Sequence, residues 1–166
     1  KKSFTVCKNL LELSTKANDT LDIARSYNYM GDCYETSKRD SAYYYYQRAE
    51  KLYRLKANNE KVAKMIFNKA YMLYYEGNYL ESEIMVSDAL QLIKNSDDTE
   101  LLYTSYTLMG SNFEKLEEYD SSLKYYLLAK KILPDLLKND TDISKINNYK
   151  VTSAVNIATI NGKKER

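Results

Sequence analysis

The sequence repeats itself with a period of 40 residues, and no other feature constrains the fold as strongly. Six columns of similar chemistry align in three copies: Ala42/Ser82/Ser122, Tyr45/Met85/Tyr125, Tyr46/Val86/Tyr126, Ala49/Ala89/Ala129, Leu52/Leu92/Ile132 and Tyr53/Ile93/Leu133. Within each copy these columns are separated by 3, 1, 3, 3 and 1 residues, which follows one face of an α-helix and not the alternation of a strand. A period of this length is typical of a fold in which similar units stack side by side.

A second set of columns lies upstream of the first, with spacings of 39 and then 40 residues. These columns are Tyr27/Ile66/Tyr106, Met30/Lys69/Met109, Gly31/Ala70/Gly110 and Tyr34/Leu73/Phe113. Each unit is therefore predicted to be a hairpin of two helices. The small residues of the third column are expected to face the Ala and Ser column of the partner helix, so that the two backbones approach closely.

The apolar periodicity predicts a chain that is helical almost throughout. The predicted helices are 3–16, 20–37, 41–57, 60–76, 79–95, 99–116, 120–137 and 143–160. The predicted helix caps are Asp40, Asn78, Thr99 and Asp120. The last helix carries an apolar stripe, formed by Val151, Ala154, Ile157 and Ala158. We expect this helix to be the first half of an interrupted repeat, which either frays or associates with a partner.

Two of the copies carry the residues of a known repeat family. Tyr27-x-x-Met30-Gly31-x-x-Tyr34 followed by Ala42-x-x-x-Tyr46 and Ala49, and Tyr106-x-x-Met109-Gly110-x-x-Phe113 followed by Ser122-x-x-x-Tyr126, Ala129 and Pro134, resemble tetratricopeptide repeats. The middle copy is similar, with Lys69 in place of an apolar residue. The family repeat has about 34 residues, so this chain resembles the elongated form found in bacterial signalling and transcription regulators.

The resemblance implies an all-α fold, namely a right-handed α-α superhelix, or solenoid, of helical hairpins. It implies one domain over residues 1–166, with about three full repeats and a half repeat on each side. The full repeats are 20–57, 60–95 and 99–137, the second helix of a preceding repeat is 3–16, and the first helix of an interrupted repeat is 143–160.

The sequence lacks the residues and motifs that several classes of enzyme require. The chain has no His, which is the usual general base and the commonest metal ligand. Its four Gly do not form a phosphate-binding loop. We therefore predict that the chain is not an enzyme and has no catalytic residues, no cofactor and no metal site.

Charge, apolar run length and cysteine content bear on nucleic-acid binding, membrane insertion and the state of the thiols. The chain has 25 Lys and Arg against 23 Asp and Glu, with the signs interspersed, so we predict no direct contact with nucleic acid. The apolar runs are far shorter than the roughly 20 residues of a membrane span, which predicts no span within this segment. Cys7 and Cys33 lie on predicted helices and are predicted to be buried thiols. The cysteines do not settle the compartment; the alternatives are the cytoplasm, or the periplasm if the parent protein has a membrane span after the repeats.

The resemblance also places a set of residues on the concave face of the first helices. They are Arg25, Asn28, Asp32, Glu35, Lys64, Phe67, Tyr71, Tyr74, Tyr75, Thr104, Thr107, Ser111, Glu114 and Lys115. The four aromatic residues of this set exceed what hairpin packing requires, and large aromatics are typical binding anchors. Packing between repeats is the alternative explanation for them. The Lys and Asn pattern with which some family members bind acidic C-terminal tails is not present.

The predicted function is a non-enzymatic module that binds a protein or a peptide. The elongated repeats favour the sensory or regulatory segment of a larger bacterial signalling protein or transcriptional regulator. The alternative is a scaffold or homo-oligomerisation module, in which the chain forms a homodimer.

Overall fold

A computed structural model of the chain describes residues 2–138 and 142–165, and within these ranges all the regular structure is helical. The helices are α1 (Lys2–Lys16), α2 (Thr20–Tyr34), α3 (Arg39–Leu55), α4 (Asn59–Tyr75), α5 (Tyr79–Ile93), α6 (Thr99–Lys115), α7 (Tyr119–Leu137) and α8 (Ile143–Lys164). The predicted all-α helical solenoid is confirmed. Across the described ranges, none of the helices combines the length and the apolarity that crossing a bilayer requires.

The helices stack in the order of the chain. The largest contacts join α2 with α3, α4 with α5 and α6 with α7, which are the three predicted hairpins. Each hairpin then packs on its neighbour, while α1 packs on α2 and α8 packs on α7. A smaller contact joins α4 with α6, so the first helices of adjacent hairpins are also neighbours. Contacts restricted to adjacent units are the signature of a repeat array.

Four of the eight described helices begin one or two residues earlier than predicted, and the other four begin at the predicted residue. The side chains that accept backbone N–H groups at a helix start are those of Asp19, Asn58, Asp98 and Asp142. Of the predicted caps, only Asn78 occupies an N-cap position, and its side chain makes no capping hydrogen bond. Asp40, Thr99 and Asp120 lie inside the first turn. In the first turn the carboxylates of Asp40 and Asp120 interact favourably with the positive end of the helix dipole.

The small residues of the hairpin contact have two distinct roles. The hydroxyl groups of Ser82 and Ser122 donate hydrogen bonds of 2.8 Å to the carbonyl oxygens of Ala70 and Gly110. This agrees with the predicted approach of small residues in the two helices. The missing side chain at Gly110 has another function, because a Cβ there would lie only 2.6 Å from ring carbons of Tyr126. The glycine column therefore makes room for a buried tyrosine of the second helix.

Lys69 interrupts the apolar column that Met30 and Met109 occupy, and its side chain is nevertheless only 9% exposed. Its ammonium nitrogen lies 2.7 Å from Glu50 Oε2 and 5.4 Å from the ring centre of Tyr43. The ammonium group lies off the direction that a hydrogen bond to this oxygen requires, so the contact is mainly Coulombic. Arg54 also pairs with Glu50, at 2.7 Å. The preceding hairpin thus supplies the negative charge that permits a lysine in the core.

Seven tyrosines of the hairpins, which the resemblance to the repeat family predicts to be core residues, differ in their burial. Tyr46 and Tyr126 are fully buried. The half-buried members of the set are Tyr27, Tyr34, Tyr79, Tyr106 and Tyr119. Two of them stack on other rings, as Tyr34 does on Tyr45 at a centroid distance of 5.7 Å. Aromatic stacking between the two helices of a hairpin thus extends the core toward the surface.

Candidate functional site

A cleft of about 630 Å³ opens where the first helices α4, α6 and α8 lie side by side. The residues that line it come mainly from these three helices, with Glu35 at one end and Tyr46 at its base. They are Glu35, Tyr46, Phe67, Asn68, Tyr71, Met72, Tyr74, Tyr75, Tyr103, Thr104, Thr107, Leu108, Ser111, Lys145, Asn148, Tyr149, Thr152 and Asn156. A volume of this size suits a small molecule or a short stretch of polypeptide.

One wall of the cleft is a continuous set of aromatic rings on α4. The rings of Phe67 and Tyr71 are stacked, with centroids 6.1 Å apart. Tyr71 and Tyr75 meet edge to face at 4.8 Å, and their hydroxyl oxygens lie 2.9 Å apart in a hydrogen bond. Tyr74 contacts Tyr75 in a similar way, with centroids 5.6 Å apart. These mutual contacts hold the rings in place before any ligand arrives, which reduces the entropy lost on binding.

The opposite wall is formed by α8, which the sequence analysis left out of the groove. The Tyr149 ring packs against Tyr103 of α6, with centroids 4.9 Å apart, and the Tyr103 hydroxyl donates to the Tyr149 carbonyl oxygen at 3.2 Å. Tyr149 in turn donates to Glu100 at 2.8 Å, and Lys145 pairs with the same carboxylate. Far along the helix, Lys163 donates to Glu114 at 2.9 Å. These bonds hold α8 against α6 along much of its length.

The signal that would have placed α8 in the cleft is the distance from its N-cap. Asn148 lies six residues after Asp142, as Thr104 lies six residues after Asp98, and both residues line the cleft. Asn148 therefore occupies a regular groove position of a first helix, although the two N-caps are separated by more than the 40-residue period. Because the repeat period was used to assign groove positions, this longer separation concealed the register of α8.

The cleft brings together only part of the predicted groove set. The predicted residues that line it are Glu35, Phe67, Tyr71, Tyr74, Tyr75, Thr104, Thr107 and Ser111. The predicted residues outside its lining are Arg25, Asn28, Asp32, Lys64, Glu114 and Lys115. Three of these six residues, Arg25, Asn28 and Asp32, lie on α2, which contributes to the lining only through Glu35 at its C-terminal end.

Three of the six polar residues outside the cleft have partners of their own. Arg25 is exposed and pairs with Asp22 at 2.6 Å. Asp32 accepts a hydrogen bond of 3.0 Å from the Tyr46 hydroxyl, and Glu114 accepts one of the same length from Tyr126. The two carboxylates therefore satisfy the hydroxyl groups of the buried tyrosines, which is a structural role repeated in the first and third hairpins.

The aromatic residues of α4 pack between repeats and also line the cleft. Phe67 and Tyr71 are half-buried and pack against the cores of two adjacent hairpins. Tyr75, in contrast, is 51% exposed, although it lines the same cleft. Packing between repeats therefore accounts for the inner part of this wall, while its outer part remains accessible to a ligand.

Three tyrosine side chains in the cleft, those of Tyr71, Tyr74 and Tyr103, have raised pKa values and stay uncharged at neutral pH. Burial raises the pKa of Tyr71 well above its usual value, and the hydrogen bond with Tyr75 raises this pKa further. Burial also raises the pKa values of Tyr74 and Tyr103. The aromatic walls therefore present neutral hydroxyl groups, which both donate and accept hydrogen bonds.

The two charged groups of the cleft lining are in different situations. Lys145 pairs with Glu100, whose pKa is lowered, first by the hydrogen bond from Tyr149 and then by Lys145 itself. Glu35 makes no ion pair within the described parts of the chain, and its pKa is raised by burial and by the nearby charge of Asp32. As the residue that ends α2, it also faces the negative end of the helix dipole. An ionised Glu35 therefore lowers the stability of the folded chain.

We expect Glu35→Gln to raise the melting temperature at pH 7 by about 1–2 °C, because the uncharged amide lacks the desolvation and repulsion of the carboxylate. The pKa of Glu35 is higher in the folded chain than in the unfolded chain, so its cost to stability appears as pH rises through that interval. The advantage of the variant should thus disappear below the ordinary pKa of Glu, near 4.5. Thermal melts of the variant and the wild type at pH 7 and at a pH below 4.5 test this prediction. Equal melting temperatures of the two proteins at pH 7 would contradict it.

Polar side chains without partners complete the cleft. The amide groups of Asn68, Asn148 and Asn156 make no hydrogen bond to the described residues of the chain. Within those residues, His, Cys, Asp and Glu side chains nowhere cluster in threes that could hold a metal ion. The arrangement is therefore suited to ring stacking and to neutral hydrogen bonding with a bound molecule.

Comparisons with known proteins give information on the fold. No protein-family profile and no curated protein sequence matches the chain. The structure is similar to the crystal structure of BtubC (BKLC) from P. vanneervenii, with a TM-score of 0.69 and 17% sequence identity. The similarity covers 87% of this chain and 61% of that chain, so this chain spans about three fifths of the length of its structural neighbour. At this level of identity the resemblance establishes an all-α helical fold that the two proteins share.

Proposed function

We propose that the chain is a non-enzymatic peptide-binding module, and that the cleft between α4, α6 and α8 binds the partner segment. The observation that carries this proposal is the pair of facing aromatic walls, formed by Tyr71 and Tyr75 on one side and Tyr149 on the other. Tyrosine rings bury a large area at a low cost in side-chain entropy, which is why they are enriched at binding hot spots.

The polar groups of the cleft favour an extended polypeptide as the ligand. A peptide backbone offers N–H donors and C=O acceptors in alternation, and an Asn side chain carries both a complementary acceptor and donors. Asn68 on α4 and Asn148 and Asn156 on α8 provide such groups on both sides of the cleft. Because Glu35 makes no ion pair with the described residues, a neutral or basic segment fits better than an acidic one.

The resemblance to tetratricopeptide repeats supports the same proposal, because that family presents its first helices to protein partners. The elongated repeat supports a place in the sensory or regulatory segment of a larger bacterial signalling protein or transcriptional regulator. In such a protein, binding in the cleft would change the relative positions of the helices that line it.

A second candidate function is self-association through α8. Val151 and Val155 are 59% and 54% exposed, and Ala154 and Ala158 extend the same face of the helix. An exposed apolar stripe of this kind is typical of a surface that is covered by another element or another molecule. This face lies outside the aromatic walls, so the two candidate functions can be tested separately.

The peptide-binding proposal is tested with a phage-displayed library of random peptides selected on the wild-type chain. We expect enriched peptides that bind with roughly micromolar affinity, or about −8 kcal/mol, in calorimetry. Tyr75→Ala and Tyr71→Ala should each weaken this binding at least about tenfold, because each removes a ring from the aromatic wall. Tyr71→Phe keeps the ring and should retain most of the affinity.

The matched control is Tyr44→Ala, since Tyr44 is 49% exposed on α3 and does not line the cleft. Its affinity for the selected peptide should equal that of the wild type, and circular dichroism should show that all variants remain helical. Unchanged affinity in both cleft variants would refute the proposed site. A dimer in light scattering that Val155→Glu dissociates, combined with no enriched peptide, would favour self-association.

A further inference from the structure

The chain contains two cysteines, and the fold places them side by side. Cys7 lies on α1 and Cys33 lies on α2, 26 residues apart in the sequence. Their sulfur atoms are 3.7 Å apart. A disulfide bond is about 2.05 Å long, so the two sulfur atoms would have to approach each other by a total of about 1.7 Å. Small rotations of two side chains and a slight shift of one helix supply a movement of this size.

The thiol of Cys33 is more accessible to reagents in solution than the thiol of Cys7. Cys7 is 7% exposed, whereas Cys33 is half-buried. Both line a surface cleft of about 380 Å³, together with Val6, Tyr29 and Asp32. A small disulfide reagent can therefore reach Cys33 from solvent, while Cys7 is positioned behind it.

We propose that Cys7 and Cys33 are a redox-active pair that closes a reversible disulfide between α1 and α2. In the presence of a small-molecule disulfide, the Cys33 thiolate attacks one sulfur of the reagent and releases the first thiolate. The Cys7 thiolate then attacks the Cys33 sulfur of this mixed disulfide and releases the second. The chain loses two protons and two electrons, and one reagent molecule becomes two thiols. A dithiol reductant reverses both steps.

The cross-link would act on the interface between α1 and α2. Within the described residues, the substantial contacts of α1 are with α2. Local opening of α1 must therefore break this interface. A covalent bond between α1 and α2 restricts the open state, and the protection of α1 against local unfolding should increase.

The test uses the chain itself in buffers with defined ratios of oxidised to reduced glutathione. Mass spectrometry of the oxidised chain should show a monomer that has lost about 2 mass units and carries no glutathione, because ring closure expels the adduct. Peptide mapping should place the bond between Cys7 and Cys33. Amide exchange in α1 should slow at least about tenfold on oxidation and recover in dithiothreitol.

Cys7→Ser and Cys33→Ser are the matched controls, since each leaves one thiol and cannot close the ring. The Cys7→Ser variant should retain one glutathione on Cys33, and neither variant should show slower exchange in α1. A wild-type chain that accumulates two glutathione adducts, or that stays a dithiol under the most oxidising buffer, would overturn the proposal. A disulfide between two chains in place of the internal bond would overturn it as well.

Discussion

The Glu50→Ala variant should lose about 3–5 kcal/mol of unfolding free energy, which is the usual result of leaving one member of a buried ion pair without its partner. Lys69 is 9% exposed and lies 2.7 Å from the Glu50 carboxylate. With Glu50 removed, the ammonium group stays in a core position with the Tyr43 ring as its remaining favourable contact. For a chain of this size the melting temperature should fall by about 6–20 °C. Chemical and thermal unfolding followed by circular dichroism measure both quantities.

Two further variants separate the charge from the packing at this position. Lys69→Met should cost less than Glu50→Ala, because Glu50 keeps its ion pair with Arg54, which is 54% exposed. Replacing both residues by Met should restore most of the lost stability, since an apolar pair of similar volume avoids the desolvation of two charges. If Glu50→Ala and the double variant are equally unstable, the loss comes from packing and the assignment of the ion pair is wrong.

The second large effect is expected at the hairpin contact. Gly110→Leu should lower the unfolding free energy by about 1–3 kcal/mol, because a side chain at this position overlaps the ring of Tyr126. A Cβ atom alone would lie 2.6 Å from two ring carbons. The ring cannot rotate away freely, since its hydroxyl donates a hydrogen bond of 3.0 Å to Glu114. Thermal and urea unfolding of the variant provide the measurement.

Gly162 offers a matched control within the same chain. It is also helical, on α8, but an added Cβ there would meet nothing within 4 Å. Gly162→Leu should therefore be neutral or slightly stabilising, by at most about 0.8 kcal/mol, because Leu has a higher helix propensity than Gly. A Gly110→Leu variant as stable as Gly162→Leu would contradict the close contact between the two helices of the third hairpin.

The aromatic cleft and the hairpin contacts require different side chains on different faces of the same helix. The side of α6 that carries Gly110 approaches Tyr126 of the second helix closely, so a side chain at position 110 would overlap that ring. The face that carries Thr104 and Thr107 lines the cleft and has no such restriction. Substitutions on the cleft face should therefore change binding more than stability, and those on the hairpin face should do the reverse.

The sequence by itself determined the helices, their pairing into hairpins and the residues of the hairpin cores. The repeated Ala column shows why, since Ala49, Ala89 and Ala129 are all buried. The helical period of burial is a local property, because residues three and four apart share one face of a helix. A column that recurs in every copy therefore reports the contact within each hairpin directly. Helix starts were less accurate, because the apolar columns that locate the helices do not include the capping residues Asp19, Asn58 and Asp98.

Only the tertiary structure decided which groups from different hairpins meet. The partner of Lys69 comes from the preceding hairpin, the second wall of the cleft comes from α8, and Cys7 meets Cys33 across two helices. The physical reason is that these distances depend on the rotation between successive units, which is the sum of many small packing differences. A repeat pattern records how each unit is built, but it does not record that rotation. The cleft therefore became visible only when the units were stacked.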